Sequence, residues 1–236
     1  MKNTNSGISA AVIAVSLFLF SCQSGSDKEK EPESVPYEQD TVEIVDTLLS
    51  NETISFFNHS GFSDYAKSGL KNFDWSRFKL TDTWKEDSLL TTSFNPDKSY
   101  FELYGKFLKY SPDSSLFIDL DSYNTIITKE KNGKLTGFEE GPDTEISLVN
   151  PSKKEKTRLV FLGPGGSVDE GGWLDNETIV LIGLQYNDEG VSAKPLIWKY
   201  HLPDSTFYLY ESSDSVDIGS KLNSWRKERL KGVELK

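Results

Sequence analysis

Apolar and polar positions change rhythm several times along this chain, and each rhythm predicts an element. Residues 8–20 are almost wholly apolar or small, a run of about a dozen that suits the core of a secretory signal and is too short to span a bilayer as a helix. Residues 23–40 carry almost nothing apolar. From 41 onward hydrophobic residues return at intervals, and 42–49 reads as a short helix or strand. Phe62, Tyr65, Ala66, Leu70 and Phe73 recur at three- and four-residue steps, which predicts a helix with Ser63 or Asp64 as its cap. The period then falls toward two. Short runs rich in β-branched and aromatic residues, at 78–80, 88–94, 100–104, 116–120, 125–128, 145–149, 158–162, 178–184, 196–200 and 207–210, read as strands. Turn chemistry separates them: Asn95-Pro96-Asp97, Ser111-Pro112-Asp113, Asn132-Gly133, Gly141-Pro142-Asp143, Asn150-Pro151 and Pro203-Asp204. Near the end, Ile218, Leu222, Trp225 and Leu230 share one helical face over about 217–231, with Gly232 as its stop. The expected fold is mainly β: antiparallel meanders in a sandwich, barrel or small propeller, with a short N-terminal helix and a C-terminal helix.

Two segments follow one plan. The first, about 100–163, contains Ser111-Pro112-Asp113, the strand Leu116-Phe117-Ile118, an insertion at 121–144, then Glu145-Ile146-Ser147-Leu148-Val149-Asn150 and Thr157-Arg158-Leu159-Val160-Phe161. The second, about 167–212, contains Trp173-Leu174-Asp175, Thr178-Ile179-Val180-Leu181, Pro195-Leu196-Ile197-Trp198-Lys199-Tyr200 and Phe207-Tyr208-Leu209-Tyr210. These units resemble the Ser-Pro-Asp blades of TolB-like β-propellers over about half of the chain. Ser114 stands where those blades usually carry a turn glycine, and the second unit lacks the Ser-Pro-Asp itself. The resemblance implies strands 116–120, 145–149 and 158–162 paired consecutively in one sheet. Leu116, Ile118, Ile146, Leu148, Leu159 and Phe161 should then face one core, with Ile179, Leu181, Ile197 and Phe207 doing so in the second unit. Phe117, Ser147 and Val180 should point the opposite way.

Leu19-Phe20-Ser21-Cys22 closes the first apolar run. It resembles the lipobox of bacterial lipoproteins, which implies cleavage between Ser21 and Cys22 and lipid on the Cys22 thiol. Residues 1–21 are then the signal, 22–40 a tether and 41–236 one β-rich domain. Cys22 is the only cysteine, so no disulfide is available and stability has to come from packing. Asp27-Lys28-Glu29-Lys30-Glu31-Pro32-Glu33 is charged and proline-broken, as a solvated linker is. It also resembles the surface-export signals of Bacteroidota lipoproteins. The partner implied is a membrane, held through the N-terminal lipid, and the expected location is the bacterial outer membrane, on its periplasmic side or at the cell surface.

Charge narrows the other partners. The chain carries 37 acidic and 26 basic residues, a formal charge of −11, and loss of 1–21 removes one more positive charge with Lys2. So acidic a surface repels phosphate backbones and excludes nucleic acid. Arg226, Lys227, Arg229 and Lys231 form one basic cluster, at the end of the expected helix where its dipole favours cations; the other reading is contact with anionic lipid headgroups.

No catalytic motif assembles. His59 and His201 are the only histidines, far apart, and no metal site or cofactor is implied. Asp119-Leu120-Asp121-Ser122-Tyr123-Asn124 opens like a calcium loop but lacks its glycine and distant glutamate, so it reads as a strand end and turn. Gly165-Gly166-Ser167-Val168-Asp169 and Gly61-Phe62-Ser63-Asp64-Tyr65 each lack the second glycine of a nucleophile elbow. Gly163-Pro164-Gly165-Gly166-Ser167 is a candidate anion nest, and Gly171-Gly172 reads as a mobile or bulged hairpin. Glu139-Glu140 and Asp169-Glu170 read as solvated pairs in turns. Aromatics are dense between Phe56 and Trp84, beside Asp64, Asp74, Asp82 and Asp87; stacking and carboxylates together suit sugar rings, although a helix packed on a sheet needs the same residues. Trp75, Trp84 and Trp173 are the candidate ligand face. The functional expectation is a non-enzymatic binding or interaction scaffold for a protein or glycan of the envelope. The alternative is a carboxylate-based glycan hydrolase or a glycan-binding accessory protein.

Overall fold

The computed structural model describes residues 47–218 and 224–236. The signal at 1–21, the tether at 22–40 and Leu222 lie outside the described residues. The second repeat-like unit forms one sheet. β9 (Gly166–Trp173), β10 (Thr178–Tyr186), β11 (Ser192–His201) and β12 (Thr206–Ser212) pair antiparallel in chain order, and β1 (Phe78–Lys85) joins the outer side of β12. The short β13 (Val216–Asp217) pairs with the start of β11.

Both faces of this sheet are buried, which is why Ile179-Val180-Leu181-Ile182 is an unbroken apolar run rather than an alternation. Val180, Ile182, Leu184, Ile197 and Tyr210 face α1 (Asn51–His59) and α2 (Phe62–Gly69), meeting Phe57, Phe62 and Ala66. Ser50 caps α1 by accepting from the Thr53 N–H at 3.3 Å. The cap of α2 is Gly61 rather than Ser63 or Asp64: the two-residue corner between the helices, Ser60-Gly61, needs φ +81° at Gly61, a left-handed conformation that glycine alone takes at little cost. A bulge in β1 between Leu80 and Asp82 reverses its parity, so Phe78 and Leu80 face the helices while Trp84 faces the other way.

The first unit forms a second sheet. β4 (Phe117–Asp119), β7 (Thr144–Asn150) and β8 (Glu155–Leu162) pair consecutively and antiparallel, with β3 (Lys109–Tyr110) and β2 (Thr91–Ser93) at the edges. The two sheets share a core in which Ile118, Ile146, Leu159 and Val160 meet Ile179, Leu181, Trp198 and Phe207. The architecture is mainly β, two stacked antiparallel meanders with helices outside them and no closed barrel among the described residues.

Several expected details are corrected. Residues 100–104 are not a strand but lie in α3 (Lys98–Tyr104), started by Asp97, which accepts from the Tyr100 N–H at 2.9 Å. Tyr100 and Tyr104 then cover Phe117 and Val149 on the outer face of the second sheet. Phe161 does not enter the core. A bulge at Leu159 places both Leu159 and Val160 inward and turns Phe161 out, 43% exposed, against Tyr123 and Arg158. Ile197 faces the helices with Val180, not the inter-sheet core, because it lies opposite Ile182 in the ladder. The insertion at 121–144 carries the hairpin β5 (Thr125–Lys129) and β6 (Leu135–Glu139). The C-terminal β14 (Val233–Leu235) adds to it in parallel, over Gly137, where a Cβ would come within 2.8 Å of Leu235. Of the C-terminal helix expected over 217–231, Asp217 lies instead in β13, residues 219–223 lie outside the described residues, and α4 (Ser224–Arg229) is helical; Gly232 follows at φ +91°.

Candidate functional site

The three expected tryptophans do not share a surface. Trp75 is buried in the helix-side core, 5.5 Å from Phe57 and nearly parallel to it. Trp84 stacks on Phe207 at 5.1 Å, at the margin of the inter-sheet core. Trp173 is buried in that same core and donates from Nε1 to the Lys109 carbonyl at 2.9 Å. The aromatic segment 56–84 is mostly the packing of α1 and α2 on their sheet.

Polar chemistry gathers elsewhere. A cavity of about 250 Å³ opens where the end of β6, the glycine loop before β9, the end of β10 and α4 meet. Its walls include Asn124, Glu139, Ser167, Asp169, Tyr186, Arg226 and Arg229. Gly166, from the glycine loop read as a candidate anion nest, lies there too, beside carboxylates as well as arginines.

Asp169 reaches this wall through a backbone irregularity. In the β9–β10 ladder Glu170 pairs with Ile182 and Val168 with Gly183, which leaves Asp169 as the extra, bulged residue. Gly183 is required opposite it, since a Cβ there would lie 1.9 Å from the Ser167 carbonyl oxygen. The same strand explains Gly171 and Gly172, which are buried in β9 rather than in a mobile hairpin. A Cβ on Gly172 would sit 2.5 Å from Phe56 Cζ, so the glycine lets α1 approach closely. Glu170 is likewise not a solvated turn residue: it is 2% exposed and paired with Lys109 at 2.8 Å.

The basic cluster divides. Arg229 points inward, its side chain 5% exposed, and pairs with Asp121, 3% exposed, at 2.6 Å; it also donates to the Asp169 carbonyl. Arg226 donates to Glu139 at 2.7 Å, to Thr125 Oγ1 at 2.6 Å and to Asn124. The Nε atoms of both arginines are buried without a hydrogen-bond partner. Burial opposes the charge of Arg229, but Asp121 and Glu170 outweigh it and hold its pKa above the usual value. The stretch read as a calcium-like opening is a turn in which Asp119 accepts from the N–H groups of Asp121 and Ser122 and from Tyr100 Oη at 2.7 Å. This turn delivers Asp121 to Arg229. Among the described residues no group of three or more His, Cys, Asp or Glu is arranged to hold a metal ion.

Asp169 is the odd carboxyl of the cavity. Its Oδ1 accepts from Ser167 Oγ at 3.1 Å, and Ser167 in turn accepts from Tyr186 Oη at 2.8 Å. Among the described residues its Oδ2 receives no hydrogen bond. Burial pushes its pKa up to about 6, and the Glu170 charge adds to the rise, against the pull of Arg229 and the Ser167 bond. Burial and the nearby Asp169 charge together push Tyr186 up to about 12. Glu145, buried between Arg158 at 2.6 Å and Lys156 at 3.4 Å, shows the contrary balance: burial opposes its charge, yet Ser147, Arg158 and Lys156 hold its pKa down. Ser167 has Tyr186 and Asp169 as hydroxyl partners, whereas His59 bonds within α1 and His201 pairs with Asp204 at 2.8 Å. The arrangement can therefore bind a polar molecule and exchange a proton near neutral pH. It holds no serine–histidine pair. Comparisons of the chain with known protein families, with curated proteins and with solved structures find no match.

Proposed function

We propose that this chain is a lipid-anchored protein of the bacterial outer membrane whose folded body is a non-enzymatic binding scaffold. The observation that carries the anchor is Leu19-Phe20-Ser21-Cys22 after a short apolar run, with Cys22 the only thiol in the chain. Two or three acyl chains, at about 0.8 kcal/mol per buried methylene, hold such a protein on its membrane. The tether that follows spaces the body from the lipid, on the periplasmic side or at the cell surface. Binding is supported by the cavity between β6, β9, β10 and α4, a pre-formed polar recess in a rigid double sheet.

The rival reading, a carboxylate-based glycan hydrolase, draws on Asp169, whose raised pKa suits an acid catalyst. Such chemistry needs a second carboxyl working across the cleft. The other acid on the wall, Glu139, is 55% exposed and tied to Arg226, which favours binding over hydrolysis.

Metabolic labelling with a clickable fatty acid tests the anchor. Label should enter the wild-type protein and be lost from Cys22→Ala, which should accumulate unprocessed or soluble. Label retained in Cys22→Ala would overturn the proposal.

A further inference from the structure

The charges that line the polar cavity are already matched. Glu139 and Asp169 stand against Arg226 and Arg229, so the lining offers no net charge to select an ion. Arg226 is engaged with Glu139 at 2.7 Å, and Arg229 with Asp121 at 2.6 Å and with the Asp169 carbonyl. An anion would have to compete with Glu139 for Arg226 and lie in a cavity shared with Asp169. A cation would have to compete with Arg226 for Glu139. Either one trades an existing pair for a new one and gives up its own hydration to do so.

What the lining keeps free is a donor and an acceptor side by side. Among the described residues Glu139 Oε2 accepts no hydrogen bond, and Arg226 Nη1 spends one of its two N–H groups, on Glu139 Oε1. The two side chains are 55% and 21% exposed, so this edge of the pair is open to a ligand. A hydroxyl suits it, because one hydroxyl both donates and accepts, and a neutral group leaves the ion pair intact. Elsewhere on the wall Ser167 Oγ and Tyr186 Oη, 2.8 Å apart, each retain an acceptor lone pair. Leu120, Pro142, Pro164 and Val168 supply an apolar part of the lining.

We propose that this cavity binds a neutral polyol, a single sugar ring whose neighbouring hydroxyls donate to Glu139 Oε2 and accept from Arg226 Nη1, with its C–H surface against the apolar part of the wall. The inference rests on reading the cavity as the ligand site of the binding scaffold proposed above. Size limits the occupant to one ring: about 250 Å³ falls below the roughly 300–1,000 Å³ of pockets that take drug-sized ligands.

The test is a titration of the full chain followed by proton–nitrogen NMR, read at the amides of Gly166, Ser167 and Asp169. The probes are glucose, galactose and mannose, their methyl pyranosides, and the charged molecules propionate, n-propylammonium and glycine. At least one sugar should shift those amides saturably and bind more tightly than every charged probe. Binding of a methyl pyranoside identifies the ligand as the end of a glycan, where the first hydroxyl is likewise substituted; binding of free sugars alone identifies it as a free monosaccharide. Glu139→Ala, at a half-exposed position where folding is not at risk, should weaken the sugar several-fold. Unchanged sugar affinity in Glu139→Ala overturns the inference, because the Glu139–Arg226 pair then takes no part in recognition. Tighter binding of a charged probe overturns the polyol and leaves the cavity a ligand site. Binding of none of the probes overturns both the inference and the cavity's role as a ligand site, and leaves the lipid anchor standing.

Discussion

Replacing Arg229 with methionine removes the most deeply buried cation described at the junction of α4 with the sheets. Its side chain is 5% exposed and that of Asp121 is 3% exposed, with 2.6 Å between their charged atoms, so neither ion has water to fall back on. Methionine keeps most of the aliphatic stem, which separates loss of charge from loss of packing. What remains is a buried aspartate without its cation and an Asp169 carbonyl without its arginine donor. Breaking one side of a buried pair costs about 3–5 kcal/mol, a large share of the roughly 5–15 kcal/mol that holds a typical domain together. For a body of this size that corresponds to a Tm lowered by about 6–20 °C. Urea unfolding followed by tryptophan fluorescence measures it, with Trp225, beside Arg226, reporting on α4. Asp121→Leu combined with Arg229→Met should recover most of the stability, because removing both ions of a buried pair is often nearly neutral. A single variant within about 0.5 kcal/mol of wild type, or a double variant no better than the single, would refute the reasoning.

Gly172→Ala should destabilise the protein by about 1–3 kcal/mol, since its new Cβ would meet Phe56 Cζ at 2.5 Å; adding Phe56→Leu should restore part of the loss in the same denaturant titration. The tether should contribute nothing to the fold, so a chain beginning at Asp40 should melt at the same temperature as one beginning at Gln23. A fall of several degrees on calorimetry would mean that residues 23–39 pack on the body.

Much of the double sheet was legible because its strands are short apolar bursts between strong turn formers. Even the missing turn glycine was informative: Ser114 adopts φ +60°, the conformation for which glycine is usually chosen. Three kinds of feature were hidden. The first is overlap of signals. Tyr100, Leu103 and Tyr104 stand at helical spacing, yet as aromatic and apolar residues they read equally as a strand until Asp97 is seen capping α3. The second is irregular pairing. No local pattern marks the bulge that turns Phe161 outward, whereas Gly183 inside an apolar strand does signal the bulge that presents Asp169. The third is distance. Arg229 and Asp121 lie 108 residues apart, so a cation cluster that suits a helix end gave no sign that two of its members are drawn inward.

The state of Asp169 is where the account is most directly tested. Carbon-detected NMR of its side-chain carboxyl, titrated in the intact protein, should give a midpoint near pH 6, well above the ordinary 3.8. A carboxyl whose pKa rises on folding makes the folded state bind more protons between those values. Wild-type stability relative to Asp169→Asn should therefore decline across that window as pH rises, by at most about 3 kcal/mol. A midpoint near 6 with that decline is the signature of a carboxyl that the fold desolvates more than its neighbouring arginines compensate. A midpoint at the ordinary value, with no difference in pH dependence from Asp169→Asn, would contradict the burial of the Asp169 carboxyl in the wall of the cavity.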